Sequence, residues 1–217
     1  MLEELELWID DAERDGWRNM AVDDWLQETA RRPVLRIYRW ESGWGSFGYF
    51  VPLAEAVALF PGLKLVRRRT GGGIVDHRKD LTYTLVVPSG HPLADQRGGA
   101  SYRFIHEALA SALSSEDPDL RLAGGAVAVR GGDCFAQPVE HDLLDHKGSK
   151  IAGAGQRRSA DGLLHQGSVA HLPDSGFPFR FAACLAGKVG HFQGGPGLPE
   201  IESRARRFRD PRWAARR

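Results

Sequence analysis

Apolar positions recur along the chain at two spacings, and each spacing names an element. Tyr102, Ile105, Leu109 and Leu113 fall three to four apart, which predicts the longest central helix. Val34 to Trp40 is rich in β-branched and aromatic residues and predicts a strand. Leu5 to Ile9, Ser46 to Phe50, Leu63 to Arg69, and Leu81 to Val87 closed by Pro88 read the same way. Asn19 is placed to cap a helix running to about Thr29 with Met20, Trp25 and Leu26 on one side, and Leu53 to Leu59 predicts a short helix. Beyond the central helix, Leu143 with Leu144, Lys150 to Ala154, and Leu163 to Val169 predict three strands punctuated by Gly148, Gly153, Gly155 and Gly162. Arg206, Phe208 and Trp213 fit a terminal helix with one apolar side. The alternation has no internal repeat and no low-complexity break, so the expectation is an α/β (α+β) fold with one mixed sheet, forming a single unit over residues 1–217.

Composition agrees with a folded chain. The 217 residues are 42% hydrophobic and 26% charged. No run approaches the roughly 20 apolar residues of a membrane span, and the start is acidic where a secretory signal is basic, so the expected location is the cytoplasm, away from membranes. Cys134 and Cys184 are then expected as free thiols, with Cys184 in an apolar helical run of the core. Net charge is +1, yet residues 1–30 are rich in carboxylates and 203–217 in arginine. The basic tail carries no recognisable reader motif, so no nucleic-acid partner is expected.

Three segments hold candidate chemistry. Arg67-Arg68-Arg69-Thr70-Gly71-Gly72-Gly73 follows a strand, and its glycines let backbone N–H groups approach an acyl carbonyl or phosphate while the arginines neutralise it. The same residues also suit a surface turn beside a solvated charge run. They form neither a nucleotide P-loop nor a dinucleotide fingerprint. Lys150, among Gly148, Gly153 and Gly155, can aim an ammonium at a carbonyl oxygen, and Gln156 offers a donor and an acceptor; a solvated lysine is the commoner use of that residue. Cys134, in Asp133-Cys134-Phe135-Ala136-Gln137-Pro138, becomes a nucleophilic thiolate if a cation lies near it, and otherwise serves as a small buried hydrophobe. His77 and His165 stand near these segments, His165 more readily as a hydrogen-bonded structural residue, and neither has metal spacing, so no metal site is expected.

In this order the segments resemble the lipoate-protein ligase and octanoyltransferase family, which is related to the biotin protein ligases. The likeness starts at Asn19-Met20-Ala21-Val22-Asp23 and runs through Arg36, Tyr38, Trp40, Ser46-Phe47-Gly48, Arg68 to Gly72, Leu81-Thr82-Tyr83-Thr84, His91-Pro92 and Ser101-Tyr102-Arg103. It continues through Cys134-Phe135, Lys150-Ile151-Ala152-Gly153 and Gln166-Gly167-Ser168. It implies a mixed curved sheet with flanking helices around an acyl tunnel, with Arg68 to Gly73 at the carboxyl end of the acyl group and Lys150 as the family's lysine. The substrate contacts it implies are Arg68, Arg69, Thr70, Gly71, Gly72, Gly73, His77, Tyr83, Gly153, Gln156, His165 and Gly167.

Two reactions occur in such a family. Ligases activate lipoate with ATP and Mg²⁺; octanoyltransferases take octanoate as a thioester from acyl-carrier protein and need no cofactor. The cysteine segment is similar to that of the octanoyltransferases of Gram-positive bacteria, which implies Cys134 as acyl nucleophile and Lys150 as its partner. The acceptors implied are lipoyl-domain proteins, either the glycine-cleavage H type or the dehydrogenase E2 type, steered by Arg67 to Arg69, Arg157 and Arg158. Three departures stand out: Arg78 where the family has aspartate, His141-Asp142 where it has Tyr-Glu, and Val51-Pro52 where it has a glutamine. Those at Arg78 and His141 keep open a third reading, a non-catalytic acyl-binding homologue. The end at Arg217 predicts no separate C-terminal adenylating domain, and the arginine and glycine order of the loop speaks against biotin ligation.

Overall fold

A long strand opens the chain, β1 (Leu2–Arg14), and Asp15 turns it into helix α1 (Gly16–Thr29) by accepting from the backbone N–H of Arg18 at 2.7 Å. The computed structural model describes residues 1–96, 99–125 and 138–216. Next come β2 (Val34–Trp40), β3 (Trp44–Phe47), α2 (Leu53–Leu59), β4 (Lys64–Arg67), β5 (Ile74–Asp76) and β6 (Leu81–Pro88). After α3 (Pro92–Asp95) and α4 (Ala100–Leu113) follow β7 (Arg121–Leu122), β8 (Leu143–Leu144), β9 (Lys150–Ser159) and β10 (Gly162–Val169). The last elements are α5 (Phe177–Leu185), β11 (Ala186–His191), α6 (Leu198–Arg209) and α7 (Pro211–Ala214).

Eight strands form one mixed sheet in the order β11-β1-β2-β6-β10-β9-β8-β7, and a smaller sheet has the order β4-β3-β5. β1 runs parallel to both neighbours, whereas β2, β6, β10 and β9 pair antiparallel. The expected mixed sheet with flanking helices is therefore what the chain forms.

Side-chain alternation gives the central strands two different faces. Tyr83, Leu85 and Val87 of β6 and Leu163 and Val169 of β10 pack with Ile105, Leu109 and Leu113 of α4 and Phe177 and Phe181 of α5. Each such fully buried side chain contributes about 1.5–3 kcal/mol relative to exposure. Val86 and Leu164 point the other way, onto Leu26 of α1. There α1 and α6 share a second cluster, in which Met20, Trp44, Ile201, Ala205, Phe208 and Trp213 are buried. Pro211 separates α6 from α7, so the expected terminal helix is two pieces, and Trp213 Nε1 donates to Arg67 O at 3.0 Å.

Several predicted bounds move. Asn19 does not cap α1: it is buried one turn inside, donating to Arg14 O and Arg39 O at 3.2 and 3.1 Å. β1 and β9 extend well past the predicted segments, and β3 stops at Phe47, where the chain turns so that Gly48 N–H meets Gly73 O. Cys184 is half-buried at the edge of the core, near its predicted place. Among the described residues no helix is long and apolar enough to cross a membrane.

Candidate functional site

On the α1 side of the sheet a buried polar network takes the place of apolar packing. Arg36 is fully buried and donates to Asp10 at 2.8 Å, Asp23 at 2.7 Å and Asn19 Oδ1 at 2.8 Å, with its guanidinium 3.8 Å from the Tyr38 ring centre. Burial opposes its charge, but Asp23, Tyr38 and Asp10 outweigh that and hold its pKa above the usual arginine value. Asp23 Oδ2 also accepts from Tyr38 at 3.0 Å, Thr84 at 2.8 Å and Gln166 at 2.7 Å, and Gln166 in turn accepts from Thr70 Oγ1 at 2.8 Å. The network thus joins the sheet to the glycine loop.

Close approach fixes the loop. A Cβ on Gly155 would collide with Gly71 O, and one on Gly48 with Gly72 O, so only glycine lets the loop lie on β9 and against β3. Gly72 has φ +91°, a left-handed value that also favours glycine. Arg68 turns inward to donate to Gly71 O at 3.2 Å, Gly73 O at 2.9 Å and Ser46 Oγ at 2.7 Å. Ser46 Oγ is 2.6 Å from His77 Nε2, and His77 Nδ1 is 2.7 Å from Asp80 Oδ2, which also accepts from Thr82 at 3.2 Å and from Ser168. Trp40 stacks on the His77 ring at 3.9 Å. Trp40, Ser46, Arg68, His77, Thr82 and Ser168, with Gly153, Ala154, Gly155 and Gly167, line one cavity. It holds about 20 Å³, room for one water. As it stands this cavity is too small for the acyl chain that the resemblance implies. A wider hollow of about 860 Å³, beside α3 and α4, is lined by none of the predicted site residues.

Lys150 opens β9 opposite Leu144 of the short strand β8, its side chain only 3% exposed, with Nζ 2.7 Å from Asp142 Oδ2. The lysine stem crosses over Gly153, where a Cβ would strike it. Gly153 and Gly155 are two residues apart on one strand and present the same side, so ammonium and glycine loop stand roughly 7 Å apart along β9. Tyr102 completes the group: its hydroxyl donates to Asp142 Oδ1 at 2.5 Å and accepts from Ala154 N–H at 2.8 Å, which β8 is too short to reach. Burial first, and then the Asp142 charge, push the Tyr102 phenol far above its usual range. Next to this group His141 adopts φ 69°, left-handed in a residue that is not glycine.

The structure thus brings Lys150, Arg68, Thr70, Gly71, Gly72, Gly73, His77 and Gly153 to one region. Gly167 borders the cavity as well, whereas Arg69, Tyr83, Gln156 and His165 lie elsewhere. Tyr83, Gln156 and His165 alternate onto the opposite face: Tyr83 lies 3.2 Å from His165 Nε2, and His165 Nδ1 lies 2.9 Å from Gln156. A Cβ on Gly167 would run into the Tyr83 ring, so this glycine makes room for a core tyrosine while only its backbone borders the cavity. Burial holds the pKa of His106 at about 3 and that of His165 well below the usual histidine value, as suits neutral core histidines. Arg69 pairs with Asp24 instead of facing the cavity, and burial, with Arg157 and Arg207 nearby, lowers its pKa to about 10. Arg67 is buried and donates to Tyr49 O and, at 2.9 Å, to Ala214 O, so it is a structural tie and no steering charge. Cys134, with Phe135, lies outside the described residues. Sequence reading missed Asp142, Tyr102, Ser46 and Asp80 as site residues; the one hint was that all four fall within or beside the segments that carry the resemblance.

Comparison with known proteins agrees with this architecture. Residues 15–188 match the lipoyl protein ligase A/B catalytic domain, and the chain belongs to that family. Octanoyltransferase LipM of Staphylococcus aureus is 32% identical over 182 residues, which are 76% of this chain and 66% of that protein. LipM of Macrococcus caseolyticus is 32% identical over 194 residues, 80% of this chain and 68% of that protein. The chain therefore spans just under two thirds of the S. aureus relative. A T. acidophilum protein solved with bound lipoic acid superposes with a TM-score of 0.74 at 19% identity, covering 99% of both chains. A lipoate-protein ligase A bound with ATP gives 0.68 at 19% identity, again over 99% of both. These two likenesses establish the shared fold.

Proposed function

We propose that this protein is an acyltransferase of protein lipoylation, moving an octanoyl or lipoyl group to a specific lysine of a lipoyl-carrier protein. The carrying observation is the placement of the Lys150 ammonium and the Arg68–Gly73 loop side by side on β9, above Gly153 and Gly155. The octanoyltransferase relatives favour octanoyl and a thioester donor over free acid. In this reading the donor is acyl-carrier protein, the acceptor is an H-type or E2-type lipoyl domain, and neither ATP nor Mg²⁺ is consumed.

The chemistry follows from the residue types. The Cys134 thiolate attacks the donor carbonyl, the bond to the donor sulfur breaks, and the carrier leaves as a thiolate that takes its proton from water. The acceptor amine then attacks the new thioester, forming the amide and returning the cysteine. Each attack places negative charge on the carbonyl oxygen, and a fixed ammonium in a water-poor site lowers that barrier. Asp142 and Tyr102 hold the Lys150 side chain at the start of β9 for this purpose, and the role of Cys134 rests on its sequence motif.

The deciding experiment offers a lipoyl domain two donors in parallel, octanoyl-carrier thioester or octanoate with ATP and Mg²⁺, and reads product by intact mass. Octanoylated domain from the thioester alone, with Cys134 acylated on the way and Cys134→Ala inactive, is the expected result. Product only from octanoate with ATP would make the protein a ligase. Binding without product from either donor would make it a non-catalytic homologue.

A further inference from the structure

The cavity contains a second nucleophile that the transfer scheme leaves unused. Ser46, His77 and Asp80 are in series, with Oγ to Nε2 at 2.6 Å and Nδ1 to Oδ2 at 2.7 Å. The direction of every proton in this series is set by its neighbours. The Asp80 carboxylate only accepts, so a neutral His77 ring carries its proton on Nδ1 and leaves Nε2 as an acceptor. Arg68 only donates, and it donates to Ser46 Oγ at 2.7 Å, so the serine hydroxyl gives its own proton to Nε2. A hydroxyl bonded to a neutral imidazole, which is itself oriented by a carboxylate, is the arrangement that activates serine for attack on acyl groups. Trp40 stacked on the ring, together with the bonds of Thr82 and Ser168 to Asp80, restricts the relay to this geometry.

We infer that Ser46 is a second acyl acceptor, giving the protein a slow thioesterase activity that does not need Cys134. The step balances without any oxidant or reductant. Ser46 Oγ forms an ester bond to the acyl carbonyl while its proton passes to His77 Nε2. The carbonyl–sulfur bond breaks and the sulfur leaves as a thiol carrying that proton. Water, giving a proton to His77 as it attacks, then hydrolyses the ester, and the serine takes the proton back. The Arg68 guanidinium, already against Oγ, lies where the oxyanion of either tetrahedral intermediate forms. Ser46, His77 and Arg68 border the same cavity as Gly153 and Gly155, so the inference rests on the reading that this cavity receives an acyl thioester.

The test uses the full chain with p-nitrophenyl octanoate, mapping the acylated peptide by mass spectrometry in wild type and in Cys134→Ala. The inference expects octanoyl on Ser46 in Cys134→Ala, no label in Cys134→Ala/Ser46→Ala, and nitrophenolate release at least about 100-fold slower when His77→Gln is added. If Ser46→Ala fails to fold by thermal melting, Ser46→Cys replaces it, and there the label is expected as a thioester at the same position. Label on Cys134 in wild type with none on Ser46 in Cys134→Ala overturns the inference and leaves the transfer reading standing. Label on Ser46 alone in both proteins supports the inference and removes Cys134 from the mechanism. An absence of label in both proteins overturns both.

Discussion

Replacing Asp142 with asparagine keeps the shape of the side chain and deletes the carboxylate that faces Lys150. At 2.7 Å and an effective dielectric of 20 the direct attraction is about 6 kcal/mol, from which the desolvation of two ions must be subtracted. Removing one partner of a pair this buried costs about 3–5 kcal/mol, because the other charge stays in place. Asp142→Asn is therefore expected to lose about 3 kcal/mol in urea unfolding followed by tryptophan fluorescence, with the m-value unchanged. Lys150→Met alone should lose a comparable amount, and the double variant should lose no more than either single, giving a coupling energy of about 3 kcal/mol against the roughly 0.5 kcal/mol expected of independent sites. Additive single losses, or an Asp142→Asn protein within about 0.5 kcal/mol of wild type, would refute the ion pair as the device that holds the ammonium.

Other expectations are as direct. Gly155→Ala drives a methyl group into Gly71 O and should unseat the loop, abolishing acyl transfer at a loss of roughly 1–3 kcal/mol in thermal or urea melts; full activity would show that the loop need not touch β9. Arg36→Gln leaves Asp23 without its cation and Asp10 with Arg14 alone, and should cost about 3–5 kcal/mol by the same melts. Tyr102→Phe strips the partner from Ala154 N–H and should cost about 1–3 kcal/mol. The buried histidines set the acid side of stability. His106 stays neutral when folded down to a pH of about 3, yet protonates near 6.5 when unfolded, so the unfolded chain binds the extra proton and stability is lost as pH falls below 6.5. Urea midpoints measured from pH 7.5 to 5.5 should fall by the equivalent of about 1.4 kcal/mol for His106, with His165 adding a loss of the same sign, and a flat profile would contradict their burial in neutral form.

Periodicity revealed the strands that carry β-branched or aromatic residues, β2, β6 and β10, and the α4 helix with its single apolar stripe. It could not reveal β11, whose Ala186-Gly187-Lys188-Val189-Gly190-His191 is almost entirely exposed, or the three-residue β5. The cap at Asp15 was hidden because α1 buries Asn19, Asp23 and Asp24 along with Met20 and Leu26, so no polar face marks where the helix begins. Lys150 and the glycine loop were recognisable as local motifs, since close backbone approach needs consecutive glycines. The partners that give them chemistry were not: Ser46 meets His77 across 31 positions, Tyr102 meets Asp142 across 40, and no local pattern records such encounters. Tyr83, Gln156 and His165 were misplaced because a motif read as a string ignores that neighbours on a strand look in opposite directions.

That last property separates two tasks along β6 and β10. Thr82, Thr84, Gln166 and Ser168 face the polar side, where they hold the carboxylates of Asp80 and Asp23. Tyr83, His165 and Gly167, interleaved with them, answer to α4 and α5 instead. Inserting or deleting one residue in the hairpin between Ser159 and Gly162 is a different matter, because a one-residue slip of β10 exchanges its two sets, turning His165 toward the polar side and Gln166 and Ser168 into the apolar interior.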